Sequence, residues 1–115
     1  MSDLAALKVK SEDGSVLVHL TGAIDLSNAD SLETVIRGAV AGAHSIVLDL
    51  EAVEFLDSSG LRLIQHLFER ATDANASFAV VAPPESIARS VIDLVSMSDE
   101  IEVQDTLQTG NQPES

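Results

Sequence analysis

Two adjacent serines stand between an acid and a glycine at Asp57-Ser58-Ser59-Gly60, just before an apolar pattern of helical spacing. Asp and Ser are favoured at helix N-termini, where their side-chain oxygens accept hydrogen bonds from backbone N–H groups. A hydroxyl in that position is also suited to carry a phosphoryl group, because unpaired N–H groups and the helix dipole favour an anion. These residues alone leave both interpretations open: a helix cap and a site of phosphorylation.

The residues around Ser58 do not support a hydrolase nucleophile. The elbow motif G-x-S-x-G fails because Leu56 takes the place of its first glycine. The three histidines are scattered: His66 lies further along the same predicted helix, His19 in a predicted hairpin and His44 at the other end of the sheet. The chain has no cysteine, which excludes a thiol nucleophile and a thiolate metal site. We therefore expect no enzymatic activity, no metal and no cofactor.

Three carboxylates, Asp25, Asp49 and Asp57, fall near predicted strand ends, as in the acidic pocket of a phospho-accepting receiver domain. That pocket also needs a lysine late in the chain, but the only lysines are Lys8 and Lys10, in the first predicted strand. The sequence thus argues against a receiver domain. Asp49 lies inside an apolar run, so we expect a structural role for it.

The composition restricts the classes of partner. The chain has 115 residues, with 19 Asp and Glu against six Lys and Arg, for a formal net charge of −13. Such a chain is repelled by nucleic acids and anionic membranes, so we expect neither as a partner. No segment is apolar enough to span a bilayer, and the start lacks the features of a signal peptide. We expect a cytoplasmic protein.

The strands that position these residues are predicted from runs of apolar and alternating residues. They cover residues 4–10, 15–21, 45–50 and 77–82, with a short edge strand at 101–103. The first two are joined by Glu12-Asp13-Gly14, a typical hairpin turn.

Three helices follow, and apolar spacing defines their predicted buried faces. Ser27 is expected to cap the first helix, and Gly42 is expected to end it. The second helix is expected to begin after Asp57, and the third is expected to cover residues 85–95. The buried positions are predicted to be Leu32, Val35, Ile36, Ala39 and Val40, then Leu61, Ile64, Leu67, Phe68 and Ala71, then Ile87, Val91, Leu94 and Val95. A last helical turn is expected to begin at residues 105–107.

Buried strands that alternate with helices require parallel crossover connections, whereas the opening hairpin is antiparallel. The predicted fold is therefore a single-domain α/β structure with a mixed β-sheet covered by helices. The domain is expected to cover residues 1–108, followed by a disordered polar tail at residues 109–115.

The order of these elements resembles the STAS domain of anti-sigma factor antagonists (anti-anti-sigma factors). The resemblance rests on GAIDLSNADSLETVI, on VLDLEAVEFLDSSGLRLI and on SMSDEIEVQDTL, which is similar to the family's closing strand and last helix. In that family the first serine of D-S-S-G is phosphorylated by an anti-sigma factor that is an ATP-dependent serine kinase.

The resemblance implies specific roles for residues of this chain. Ser58 is the implied phosphorylation site, Asp57, Ser59 and Gly60 shape its loop, and Asp25 belongs to the neighbouring loop of the partner-binding surface. The implied mechanism is partner switching: unphosphorylated protein sequesters the anti-sigma kinase, and a PP2C-type phosphatase later restores the unmodified serine.

Two positions depart from the family pattern. Ala23 stands where the family often has Glu, and Arg62 stands where many members have Gly. Arg62 could pair with Asp57 or with a phosphoryl group, or be a solvated side chain, and we include it in the expected partner-binding surface.

Two other classes of function remain open at this point. A STAS module can also serve as a scaffold in a stressosome or as a regulatory subunit of a transporter complex, without a sigma-factor client. An enzyme or nucleotide-binding protein could use the same edge of the sheet.

Overall fold

The computed structural model describes residues 5–107, whose strands and helices have the following bounds. The strands are β1 (Ala5–Glu12), β2 (Ser15–Ile24), β3 (Ser45–Leu56), β4 (Ser77–Val81) and β5 (Glu102–Gln104). The helices are α1 (Ala29–Ala39), α2 (Ser58–Asp73) and α3 (Ile87–Leu94), with a 3₁₀ helix at Met97–Asp99. The predicted tail at 109–115 and the ends of the predicted domain, residues 1–4 and 108, lie outside the described residues.

The strands form one mixed sheet in the order β1-β2-β3-β4-β5. β1 and β2 are antiparallel, whereas β2, β3, β4 and β5 are successive parallel neighbours. Asp13 and Gly14 have φ values of 52° and 83°, as a two-residue hairpin turn requires. The predicted mixed sheet and its opening hairpin are confirmed.

β3 extends further than predicted, to Leu56 instead of Leu50. Its second half keeps pairing with β2 through two register irregularities, up to the pair Ile24 and Leu56. Polar and exposed residues such as Glu51 and Glu54 interrupt the apolar pattern there, which is why the sequence did not indicate a strand. The extension brings the ends of β2 and β3 together immediately before Asp57.

A single buried apolar cluster joins the sheet to all three helices. Its fully buried members include Val18, Leu20, Leu48, Leu50, Val80, Ile36, Leu63, Ile64 and Ile92. α1 packs against α2, α2 packs against β3 and β4, and α3 packs against β3. Leu63 was not among the predicted core residues. Among residues 5–107, no helix is both long and apolar enough to cross a membrane.

The predicted buried face of α3 is correct only at Val91, which is partly buried and packs against the core. Ile87, Leu94 and Val95 are exposed, and Ala88 and Ile92 are the buried residues. The segment carries two overlapping apolar stripes of helical spacing, and periodicity alone cannot choose between them. The outcome leaves an apolar ridge, Leu94 and Val95, on the surface.

Four smaller predictions about the helices are also wrong. α1 begins after Asn28, not Ser27, and its C-cap is Val40, so that Gly42 lies in the following turn with a φ of 80°. Val35, expected to be buried, is 54% exposed. Residues 105–107 form a bend and not a helical turn.

Asp49 has the structural role that its position predicts. It is the one charged side chain among residues 5–107 that is buried, and it is 3% exposed. Its Oδ2 lies 2.8 Å from Nδ1 of His19 on the neighbouring strand, and its Oδ1 accepts a 3.0 Å hydrogen bond from the backbone N–H of Glu51. The carboxylate therefore ties β2 to β3 where the register becomes irregular.

Replacing this carboxylate should destabilise the fold. Asp49→Ala leaves the Glu51 N–H and the His19 ring without their acceptor, and we expect a loss of about 1–3 kcal/mol in the free energy of unfolding. Urea denaturation at pH 7 measures this, with Glu51→Ala, an exposed neighbour, as the control expected to stay within about 0.5 kcal/mol of wild type. Equal stability of the two variants would contradict a structural role for Asp49.

Candidate functional site

Asp57 caps helix α2. Its extended backbone precedes the helix, and its Oδ1 accepts hydrogen bonds from the N–H groups of Ser59 at 2.8 Å and Gly60 at 3.3 Å. Its carbonyl accepts the N–H of Leu61 at 3.1 Å. The cap function of the D-S-S-G segment is thus carried by its acid, and neither serine hydroxyl takes part.

The two serines differ in their accessibility. Ser58, the first residue of α2, is exposed, whereas Ser59 is partly buried. Within residues 5–107, neither the Ser58 hydroxyl nor the Ser59 hydroxyl has a side-chain hydrogen-bond partner. Ser58 therefore presents an unengaged hydroxyl to solvent at the start of a helix.

Gly60 lets the helix approach the ends of the two central strands. It is buried, and a Cβ at this position would collide with Cδ1 of Leu56 and lie 3.2 Å from Cγ2 of Ile24. The requirement for glycine here is one of space, because the close neighbours are buried side chains of β2 and β3.

Asp25 lies in the loop between β2 and α1, beside the Asp57 loop. Its Oδ1 accepts from the Ser27 N–H at 2.9 Å and from the Ser27 hydroxyl at 2.6 Å. The Asp57 N–H donates to the carbonyl of Ile24 at 3.3 Å, which joins the two loops at one edge of the sheet. The structure thus brings the predicted residues Asp25 and Asp57 to the same edge.

Asn28 organises the same loop and was missed by the sequence analysis. Its Oδ1 accepts the Asp25 N–H at 3.0 Å, and its Nδ2 donates to the Ala23 carbonyl at 2.9 Å. Ala23 therefore contributes a backbone oxygen to the loop, whatever its side chain. The loop places Leu26, 79% exposed, beside the edge that carries Ser58.

A groove of about 500 Å³ runs alongside Ser58 between α2 and the segment after α3. The groove is lined by Ser58, Leu61, Arg62, Gln65, His66, Glu69, Val95, Ser96, Met97 and Glu100. Ser96 has a left-handed backbone with a φ of 55°, a costly conformation for a serine that turns the chain between α3 and the 3₁₀ helix. The wall formed by Val95 and Met97 was not predicted, because Val95 was assigned to the core.

Arg89 holds α3 in place through its guanidinium. Its Nη1 donates to the Ala82 carbonyl at 2.8 Å and to Asp105 at 2.9 Å, and its Nε donates to Asp93 at 3.3 Å. The hydrogen bond to Asp105 and the neighbouring Asp93 raise the pKa of the Arg89 guanidinium. The helix is thereby tied to the ends of β4 and β5.

The histidines are engaged separately and do not form a cluster. His66 Nδ1 lies 3.0 Å from Glu33 Oε1, and the Nε2–H of His44 donates to the Asp13 carbonyl at 2.9 Å. Among residues 5–107, no three His, Cys, Asp or Glu side chains are grouped so that they could hold a metal ion.

Comparisons with known proteins point to one family. The family model described as the STAS domain matches residues 6–110. An anti-sigma-F factor antagonist of Mycobacterium tuberculosis, RsfB, is 34% identical over 96 residues, which are 83% of this chain and 77% of that protein.

Solved structures agree. The crystal structure of an anti-sigma factor antagonist from Mycobacterium paratuberculosis is 33% identical, with a TM-score of 0.79 over 90% of this chain and 87% of that one. A Thermotoga maritima structure described as a putative anti-sigma factor antagonist is 25% identical, with a TM-score of 0.74 over 88% of this chain and 87% of that one.

The space requirement at Gly60 can be tested against a second helical glycine. Gly60→Ala should lower the free energy of unfolding by about 1–2 kcal/mol, because overpacking against Leu56 outweighs the better helix propensity of alanine. Gly38→Ala, in α1 with nothing within 4 Å of an added Cβ, should instead raise it by about 0.5–1 kcal/mol. Thermal or urea denaturation of both variants checks this, and a stabilising Gly60→Ala would contradict the packing argument.

Proposed function

Because this chain belongs to the STAS domain family, we propose that it acts as an anti-sigma factor antagonist that binds an anti-sigma serine kinase and is inactivated by phosphorylation of Ser58. The observation that carries the proposal is the exposed hydroxyl of Ser58, which is free of hydrogen-bond partners in residues 5–107 and sits at the edge where two ordered loops meet. A PP2C-type phosphatase then restores the binding form.

The surface around Ser58 is suited to a protein partner. It combines Leu26 on the neighbouring loop with Val95 on the far wall of the groove, 79% and 52% exposed. The groove that Val95 lines also contains polar side chains of α2, such as Gln65 and Glu69, and a mixture of apolar and polar surface is typical of protein interfaces. The carboxylates Asp25 and Asp57 are held by hydrogen bonds to their own loops, which preorganises the edge for docking.

Phosphorylation would change this surface mainly through charge. A phosphoryl group adds about 1.5–2 negative charges next to Asp57, whose Oδ1 already accepts hydrogen bonds from the N–H groups of Ser59 and Gly60. Even at the dielectric constant of water, such a group about 5 Å from one carboxylate of the partner costs about 1.4 kcal/mol, or tenfold in Kd. Its bulk adds a steric cost at the centre of the docking edge.

Substitutions of Ser58 should separate binding from modification. Ser58→Asp adds one charge, which by the same Coulomb estimate costs about 0.8 kcal/mol, so it should weaken binding of the anti-sigma kinase encoded by a neighbouring gene by about fourfold, and more so at low salt. Ser58→Ala should bind within about threefold of wild type but accept no phosphate. Calorimetric titration and intact-mass measurement after incubation with ATP give both quantities.

A matched control separates local repulsion from net charge. Ser77→Asp adds the same charge at the start of β4, where Ser77 pairs with the start of β3, whereas Ser58 follows the end of β3. At this opposite edge of the sheet the added charge should leave Kd within about twofold of wild type. If Ser58→Asp and Ser77→Asp bound the kinase equally well, an electrostatic switch at Ser58 would be excluded.

The accessibility difference between the two serines yields a second test. Ser59→Ala should still be phosphorylated to completion by the same kinase, because the exposed hydroxyl is that of Ser58. Peptide mapping by mass spectrometry should place the phosphate on Ser58 in wild type. A phosphate on Ser59 would overturn the assignment.

A further inference from the structure

Arg62 is the one cation beside the Ser58 hydroxyl. The chain has six Lys and Arg residues. Lys8 and Lys10 lie in β1, whereas Arg89 is bound to Asp93, Asp105 and the Ala82 carbonyl. The remaining two, Arg37 and Arg70, lie in the last turns of α1 and α2 and line a separate cavity. Of all six, Arg62 alone lines the groove that contains Ser58.

The spacing of Ser58 and Arg62 places them on the same face of α2. Residues four apart in a helix have Cβ atoms about 5–6 Å from each other, and oppositely charged pairs at this spacing attract. Ser58 and Arg62 are both exposed and both line the groove. A guanidinium on its long side chain therefore reaches a group attached to the Ser58 oxygen.

The Arg62 side chain is uncommitted in the unmodified protein. Within residues 5–107 it forms no ion pair and no side-chain hydrogen bond, and Asp57 does not engage it. His66, one turn further on the same face, is held by Glu33 at 3.0 Å. The Ser59 and Gly60 N–H groups, which could otherwise receive an anion at this helix end, already donate to Asp57.

We infer that Arg62 binds the phosphoryl group of phosphorylated Ser58 within the same helix, in a charge-assisted pair that forms only in the modified protein. The Arg62 pair concerns the regulation of the Ser58 site, and its biological role rests on the proposed function as an anti-sigma factor antagonist. Guanidinium and phosphate groups pair through two parallel hydrogen bonds, which suits an arginine better than a lysine at this position.

The pair has a consequence for partner switching. In the unmodified protein the Arg62 guanidinium is available to a carboxylate of the partner, because no described residue neutralises it. In the phosphorylated protein the same guanidinium is bound to the phosphoryl group, so modification adds an anion to the edge and also removes its nearest cation. The two changes act in the same direction on an acidic part of the partner.

The inference can be tested without any kinase. Phosphoserine is incorporated at position 58 during translation, and the second pKa of the phosphate, ordinarily about 6, is measured by ³¹P NMR titration. In the wild-type background the pKa should be lower than in Arg62→Gln by about 0.3–0.7 pH unit, since the guanidinium favours the dianion. Arg62→Lys should keep part of this shift.

Arg70→Gln is the matched control, because it removes the same charge from the same helix. Position 70 is about 18 Å from position 58 along the helix axis, beyond the screening length of about 8–10 Å at moderate salt, so the phosphate pKa should stay within about 0.1 unit of wild type. Equal pKa values in wild type, Arg62→Gln and Arg70→Gln would overturn the inference and leave Arg62 as a solvated side chain.

The outcome is independent of whether a kinase acts on the chain. A phosphate pKa lowered by Arg62 in a protein that no anti-sigma kinase modifies would uphold the pair and overturn the proposed function. Phosphorylation of Ser58 by the kinase together with an unchanged phosphate pKa in Arg62→Gln would uphold the proposed function and overturn the pair.

Discussion

The close approach of helix α2 to the ends of β2 and β3 is the constraint on which the rest of the site depends. It requires a residue without a side chain at position 60, because Leu56 and Ile24 occupy the space where a Cβ would lie. The approach places the start of the helix at the sheet edge, next to the loop of Asp25, to which it is joined through the Asp57 N–H and the Ile24 carbonyl. The position of the Ser58 hydroxyl follows from this packing.

Electrostatics gives the site its sensitivity. The chain carries a net charge of −13, yet the edge around Ser58 includes a cation that no described residue pairs with. The carboxylate of Asp57 is directed to the backbone of α2, where it stabilises the helix start. A phosphoryl group added at Ser58 would therefore stand beside the fixed carboxylate of Asp57 and within reach of Arg62. With this arrangement, the charge of the edge that carries Ser58 depends on whether Ser58 is modified, and is not permanently fixed.

The third helix shows how packing creates surface as well as core. Ala88 and Ile92 fill the interior, and Arg89 ties the helix to the ends of β4 and β5. The consequence is that Leu94 and Val95 face outward, and that Val95 becomes one wall of the groove beside Ser58. Placement of a short helix against an extended β3 thus supplies apolar surface close to the exposed hydroxyl.

Local patterns in the sequence were sufficient for the class of fold and for the helix cap at Asp57. The mixed sheet, the hairpin and the helix cap could all be predicted, because each depends on residues that are neighbours in the sequence. The segments concerned are the apolar runs at 45–50 and 77–82, the Asp13-Gly14 turn and the D-S-S-G segment. What the tertiary structure decided depends on contacts distant in sequence. This group includes the pairing of β3 with β2 as far as Leu56 and the choice between two apolar stripes on α3. It also includes the distinction between exposed Ser58 and partly buried Ser59, and the lack of an ion pair at Arg62 within residues 5–107. Each is set by which surfaces meet in three dimensions, and residue periodicity along one segment carries no information about that.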